Sequence, residues 1–226
     1  MLKAILNNVC DSGHLMIDLH THTVFSDGEL IPSELVRRAE MKGCRALGIT
    51  DHVDFTNVEF VIRQVSKVKE LEDVLEMRIL AGVELTHVPP EKMGKLATLA
   101  RRLGADIIVV HGETPVEPVA PGTNRMALEI GADILAHPGF ISPEEADLAK
   151  ENNVCLELTA RRGHNITNGH VARLALEAGA NLVVDTDAHS PDDLIDRNRA
   201  IEIARGAGLT LERAEDIVAH HSIIDI

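Results

Sequence analysis

A short run rich in Val, Ile and Leu, then a longer amphipathic segment, then another apolar run: this alternation fills the chain and limits what it can fold into. The apolar runs predict strands at Met16–Thr23, Arg45–His52, Arg78–Thr86, Asp106–His111, Asp133–His137, Val154–Thr159 and Leu182–Asp187. The segments between them predict helices near 32–42, 57–75, 90–103, 124–130, 143–152, 168–178 and 191–206. Apolar runs with no polar face suit strands that are covered on both sides. The helices carry their own punctuation. "SPEE" at 142–145 offers a Ser cap, an early Pro and two acids, and "SPDD" at 190–193 repeats it. Glycine closes "MKG", "RRLG" and "EAG" at predicted helix ends. Repeated βα units imply a parallel sheet with right-handed crossovers, either open and doubly wound or closed into a barrel. No GxGxxG or GxxxxGK[ST] loop is present, which weakens the nucleotide-binding forms of the open sheet.

The length, 226 residues, suits one large domain, and no linker or low-complexity break divides it. We therefore expect a single domain over 1–226, with a core at 16–206 and a helical tail at 207–226. No apolar run approaches the roughly 20 residues that span a bilayer. The first residues lack the apolar stretch and cleavage site of a secretory signal. The expectation is a soluble, cytoplasmic protein with no membrane partner. A formal charge of −14 repels nucleic acid, and the absence of Trp and Tyr leaves few platforms for stacking bases. Cys10, Cys44 and Cys155 are odd in number and widely spaced, which argues against disulfides and zinc ribbons.

The position of the polar residues is the decisive feature. His20 and His22 close the first predicted strand, His52 the second, Glu84 the third, His111 the fourth and His137 the fifth, and Asp187 and His189 end the last. In a parallel barrel the C-terminal ends of the strands converge on one face, whereas an open sheet spreads them along a line. Strand alternation adds that His20 and His22 point the same way, as do Glu157, Thr159 and Arg161, and Asp185, Asp187 and His189. One His at a strand end is commonly structural. Histidines and carboxylates at almost every end suggest more than one divalent ion, since a single-metal site needs only about three or four protein ligands. Asp18 and Asp185 are candidates to orient imidazoles from behind. Asp51 has the opposite parity to His52 and suits packing or capping. His14, His87, His170, His220 and His221 read as surface or structural residues.

"DLHTHTVFSDG", "GITDH", "GVE", "VVHGE", "LAHPG" and "DTDAHSP", in this order, resemble the motifs of the PHP family (polymerase and histidinol phosphatase domains) from residue 18 to 191. The resemblance implies an α/β fold, a distorted (β/α)7 TIM-like barrel, with a metal site at the C-terminal ends of the strands. It implies two or three divalent ions of the Zn, Mn or Fe kind. One ion would take His20, His22, Glu84 and Asp187. A second would share Glu84 and add His111 and His137. A third would take Asp27, His52 and His189. Asp187 bridging two ions is the alternative, and Asp27 is the loosest match because it lies in a turn after the strand and that position varies in type within the family.

The function implied is a histidinol-phosphatase-like phosphoesterase, which hydrolyses a small phosphate monoester through a metal-activated hydroxide. Glu84, Asp187 and His189 are the expected catalytic group. Arg161, Arg162 and His164 in "LTARRGHN" are candidates for substrate phosphate, against a plain reading as a solvated basic loop. Arg125 is a further candidate, with Thr123 or Asn124 as helix caps. The alternatives are a nuclease or phosphodiesterase, an amidohydrolase-like enzyme (disfavoured because Glu84 stands where a bridging Lys would) and a non-catalytic metal-binding scaffold.

Overall fold

The computed structural model describes residues 16–219. Cys10, His14, His220 and His221 lie outside the described residues, as does the end of the expected tail. The strands are β1 (Met16–Thr21), β2 (Cys44–Ile49), β3 (His52–Val53), β4 (Arg78–Leu85), β5 (Ile107–His111), β6 (Ile134–Ala136), β7 (Cys155–Thr159) and β8 (Leu182–Asp185). The helices are α1 (Pro32–Met41), α2 (Val58–Val65), α3 (Pro90–Arg102), α4 (Thr123–Glu129), α5 (Pro143–Glu151), α6 (Asn168–Ala178), α7 (Arg197–Gly206) and α8 (Leu211–Ala219). All the strand pairs are parallel, in the order β1-β2-β4-β5-β6-β7-β8. β3 continues the second strand after a break and pairs with the upper half of β4, His52 against Glu84. The result is a nearly closed α/β barrel ringed by helices.

Two apolar layers hold it. One draws on strands alone and fills the interior: Ile17 and Leu19, then Ala46, Leu80, Ile107 and Val109, with Ile134, Ala136, Cys155 and Val183. The other lies between strands and helices, with Leu35, Val36 and Ala39 of α1 and Val61, Ile62 and Val65 of α2 facing inward. Each buried Val, Leu or Ile among them contributes about 1.5–3 kcal/mol by leaving water. Ser142 caps α5 as expected, in a capping box with Glu145. The repeat of that signal at Ser190 caps only a short 3-10 turn, Pro191–Asp193, and α7 starts later, with Asp196 as its cap. The segment expected as one helix at 57–75 likewise changes to 3-10 form over Ser66–Asp73.

The first strand contains a device that alternation does not show. Between Asp18 and Thr21, three steps of β1 face two steps of β2, from Leu47 to Ile49. This bulge switches the inward face. Ile17 and Leu19 point into the barrel below it, yet His20 and His22 also reach its centre above it. The pressed backbone requires Gly48, where a Cβ would lie 2.4 Å from the Leu19 carbonyl oxygen. Thr21 pins the bulge by donating its hydroxyl to the Gly48 carbonyl at 2.6 Å.

The barrel closes between β1 and β8. Main-chain contact is confined to the mouth, where His22 N–H donates to Ala188 O and Asp187 N–H to His20 O, each at 2.9 Å. Below, side chains replace the ladder. Asp185 accepts from the Leu19 N–H at 2.6 Å, and Asp18 accepts from the Thr186 N–H at 3.1 Å and from its hydroxyl at 2.6 Å. Asp18 and Asp185 thus close the seam rather than orient imidazoles. Burial raises the pKa of both, Asp18 to about 6. Asp185→Ala leaves the buried Leu19 N–H without a partner. We expect a loss of ~1–3 kcal/mol, read as a lower urea midpoint with metal chelated; an unchanged midpoint would remove Asp185 from the seam.

Candidate metal centre

The strand ends deliver their side chains into one buried cluster. His20 and His22 come from β1 and the residue after it, and Glu84 from β4, on the inward parity of Leu80. His137 and Asp187 follow β6 and β8 in the left-handed backbone region, φ 29° and 51°. Strain of this kind persists only where its surroundings hold it, and it collects at functional sites. His189 sits two residues beyond. Asp27 is supplied by a turn that Asp51 fastens: its carboxylate accepts from the Thr23 N–H at 2.7 Å, the Thr23 hydroxyl at 2.7 Å and the Ser26 hydroxyl at 2.6 Å. Asp51, expected to serve packing or capping, holds a turn distant from it in sequence.

Glu84 is central. Its carboxylate lies 3.4 Å from His20 Nε2, 3.6 Å from His22 Nε2, 3.8 Å from His137 Nε2 and 2.6 Å from His52 Nδ1. Asp187 lies 3.2 Å from His22 Nε2, 3.6 Å from His137 Nε2 and 3.3 Å from His189 Nδ1. On the outer side Asp27 stands 3.5 Å from His52 Nε2 and 3.2 Å from His189 Nε2.

The imidazole orientations test whether ions fit. His20 Nδ1 is 3.0 Å from Glu157 Oε2, and His189 Nδ1 is 2.9 Å from the Asp187 carbonyl oxygen. A proton on Nδ1 satisfies each contact and leaves Nε2 with a lone pair. Those lone pairs point at carboxylate oxygens and at other imidazole nitrogens: His20 Nε2 is 3.1 Å from His22 Nε2, and His189 Nε2 is 3.4 Å from His52 Nε2. Such contacts need a second proton or a cation between the atoms. Glu84 Oε1 and Asp187 Oδ1 are also buried without a hydrogen bond, which is costly unless something positive meets them. The donor set fits divalent ions.

Four overlapping groups place their donor atoms within 4.8 Å of one another: His22, Asp27, His52 and His189; His20, His22 and Asp187; His20, Glu84 and His137; His137, His164 and Asp187. The first holds the expected third-ion residues together with His22. The next two divide the expected first-ion set. His111 differs from expectation: its Nε2 turns to Glu117, at 3.2 Å, a residue the strand-end reading missed. Glu117 stands in the loop after β5 and also meets His164 and His87, at 3.3 and 3.4 Å.

The cluster opens into a cavity of about 410 Å³. Arg161 and His164 line it; Arg162 is exposed and does not. Arg161 reaches over Asp187, with Nη1 donating to its carbonyl oxygen at 3.1 Å and Nε 3.5 Å from its carboxylate. Arg125 pairs instead with Glu129 along α4, at 2.9 Å. Thr123 and Asn124 do not cap that helix, whose N-cap is Gly122; Asn124 instead accepts from the Glu113 N–H at 2.9 Å.

Electrostatics set these groups against one another. Burial opposes a charge on His20, yet Glu84, Glu157 and Asp187 hold its pKa well above 6.5. Burial, then His52, depresses His22 well below the usual value. Burial raises Asp187 to about 7. Glu84 stays ionised against its burial because His20 and His52 face it.

The sequence profile of the PHP domain matches residues 18–206. The chain belongs to the PHP domain family. An uncharacterized protein of Methanocaldococcus jannaschii is 50% identical over 213 residues, covering 92% of this chain and 96% of that one. A protein of Thermoanaerobacter sp. (strain X514) named "Probable phosphatase" is 27% identical, covering 92% and 91%. Among solved structures, the histidinol phosphate phosphatase of Lactococcus lactis, complexed with zinc, L-histidinol and phosphate, superposes with a TM-score of 0.61. It is 16% identical and covers 87% of this chain and 95% of that one, a likeness of fold.

Within this PHP barrel Glu157 is a positioning residue, buried and on Nδ1 of His20. Replacing such a carboxylate lowers metal affinity by roughly 10–100-fold. We expect that loss for Glu157→Gln in chelator competition, with circular dichroism unchanged; equal affinity would free His20 from this control. Metal uptake also displaces protons. His20, His52 and His111 are held above the usual imidazole value and Asp187 titrates at about 7, so protons compete with the ion below that pH. Zinc affinity is expected to fall as pH drops through about 7, with proton release visible by calorimetry in buffers of different ionisation heat. Affinity that does not change with pH would contradict this.

Proposed function

We propose that this PHP protein is a metal-dependent phosphoesterase acting on small phosphate monoesters, with two or three ions of the Zn, Mn or Fe kind. The observation that carries this reading is the meeting of two features in one cavity of about 410 Å³: lone pairs arranged for cations, and the Arg161 guanidinium beside them. When bound, such ions supply Lewis acidity toward phosphoryl oxygens and lower the pKa of a bound water. The chain does the rest. Glu84 and Asp187 fix the spacing of the imidazoles, and His52, His189 and Asp27 form the outer wall. Arg161, tethered through the Asp187 carbonyl, presents its remaining N–H groups to a phosphate oxygen and orients the ester. A cavity of this size suits a metabolite rather than a polymer, and the net charge of −14 disfavours long nucleic acids. The relatives named as phosphatases support the same class.

The test is a substrate comparison after metal loading. We expect turnover of p-nitrophenyl phosphate and of members of a phosphometabolite panel that includes histidinol phosphate. The bis-ester and single-stranded DNA should be much poorer. Preference for the bis-ester or DNA would transfer the protein to the nuclease or phosphodiesterase reading. Metal retention without any ester hydrolysis would leave a scaffold. In the same assay Arg161→Met should raise KM about 10–100-fold, the worth of one hydrogen bond to a charged group, with a smaller change in kcat.

A further inference from the structure

We propose that Glu117 is itself a metal ligand, a loop carboxylate that completes the second ion's coordination beyond the nine residues drawn from the motifs. The inference rests on the metal centre and is independent of which ester is cleaved.

The second ion's expected ligands are Glu84, His111 and His137. In the structure His111 does not turn to Glu84. Its Nδ1 lies 3.2 Å from the Gly112 carbonyl oxygen, so that nitrogen is the donor. The Nε2 lone pair then faces Glu117 Oε2 at 3.2 Å. A lone pair and a carboxylate oxygen repel unless something positive lies between them. Two adjacent ligands of one divalent ion, each about 2.1 Å from it, stand about 3.0 Å apart at a right angle and about 3.4 Å apart at the tetrahedral angle, and the spacing seen lies between these.

His164 extends the same arc. Its Nε2 is 3.3 Å from Glu117 Oε1, and a donor atom of His164 groups with His137 and Asp187. The His137 ring centroid lies 4.5 Å from those of both His111 and His164. Glu117 thus lies on the His111–His164 side of the centre, and its oxygens and the His111 nitrogens stand outside the four groups described above. Every ion pair it makes among the described residues is to an imidazole, with no Lys or Arg to neutralise it.

The loop is built to hold the carboxylate there. Glu113 accepts at its base from the N–H groups of Gly122 and Asn124, at 2.9 and 3.0 Å, and Asn124 returns a contact to the Glu113 N–H. Asn124 also donates to the Pro138 carbonyl at 2.8 Å, tying the loop to the turn that carries His137. From the other side His87, in the left-handed region at φ 52°, brings its Nε2 to 3.4 Å from Glu117 Oε2. A strained histidine behind a carboxylate that faces the ion fits a residue that orients a ligand.

Glu117 is one-third exposed and on a loop, so Glu117→Gln should fold normally. Wild type and variant are stripped, reloaded with zinc, and compared by metal content, by chelator competition and by the visible spectrum of cobalt(II)-loaded protein. A lost orienting group costs roughly 10–100-fold, so losing a direct ligand should weaken one equivalent at least 10-fold. The other equivalents should be unchanged and the cobalt spectrum altered. Identical stoichiometry, affinity and spectrum would overturn the proposal. Failure of the wild type to take up metal would overturn the metal centre itself, a separate outcome read from the same samples, and neither outcome uses ester hydrolysis.

Discussion

The centre depends first on how the first and last strands meet. A barrel of this kind needs its final strand hydrogen-bonded to its first, yet here the main chains pair only at the mouth. Two buried carboxyl groups, Asp18 and Asp185, take the backbone donors that the ladder leaves over. They lie just below His20 and Asp187, so the seam sets the first histidine of the cluster against its last carboxylate, Nε2 to Oδ1 at 3.8 Å. The bulge at 18–21 belongs to the same arrangement, since it turns His20 and His22 inward above two residues that already face inward. Gly48 makes room for it.

Buried imidazoles and carboxylates of this number cannot all adopt their ordinary protonation states. Without an ion, Asp187 holds its proton up to about 7, His22 and His137 resist one, and His20 keeps one. Each state removes one repulsion and leaves others, and Glu84 Oε1 and Asp187 Oδ1 remain buried without a hydrogen bond. A cation satisfies the lone pairs and the carboxylates together. Metal binding therefore couples to the stability of the whole barrel mouth.

Much of this was legible from position. The βα alternation located the strands, and the polar residues at their ends marked the mouth. Alternation holds in the structure where strands are regular: Glu84 shares the inward face of Leu80, His111 that of Ile107 and Val109, and Glu157 that of Cys155. In β1 the bulge shifts parity relative to Ile17 and Leu19, although His20 and His22 both reach the cluster, and His137 and Asp187 lie past their strands on left-handed backbone. Those residues were marked by their place at the predicted strand ends. Asp18 and Asp185 were read as supports for imidazoles, because a missing ladder at the seam leaves no trace in one strand's sequence. Glu157 was noted only for its parity. Glu117 and His87 escaped because a loop has no period; "ETPVEP" offers nothing but an acid between prolines, and its significance is set by tertiary contact alone.

The seam has a consequence in time. Leu19 and its partner Asp185 are 166 residues apart, the span over which the chain must close on itself. At synthesis rates of about 5–20 residues per second, the first-strand histidines wait on the order of ten seconds or more for Asp187 to be made. Until then they lack the last strand's carboxylate. Closure of the seam is therefore among the final events of folding, and any truncation before the last strand leaves the barrel open beside His20 and His22.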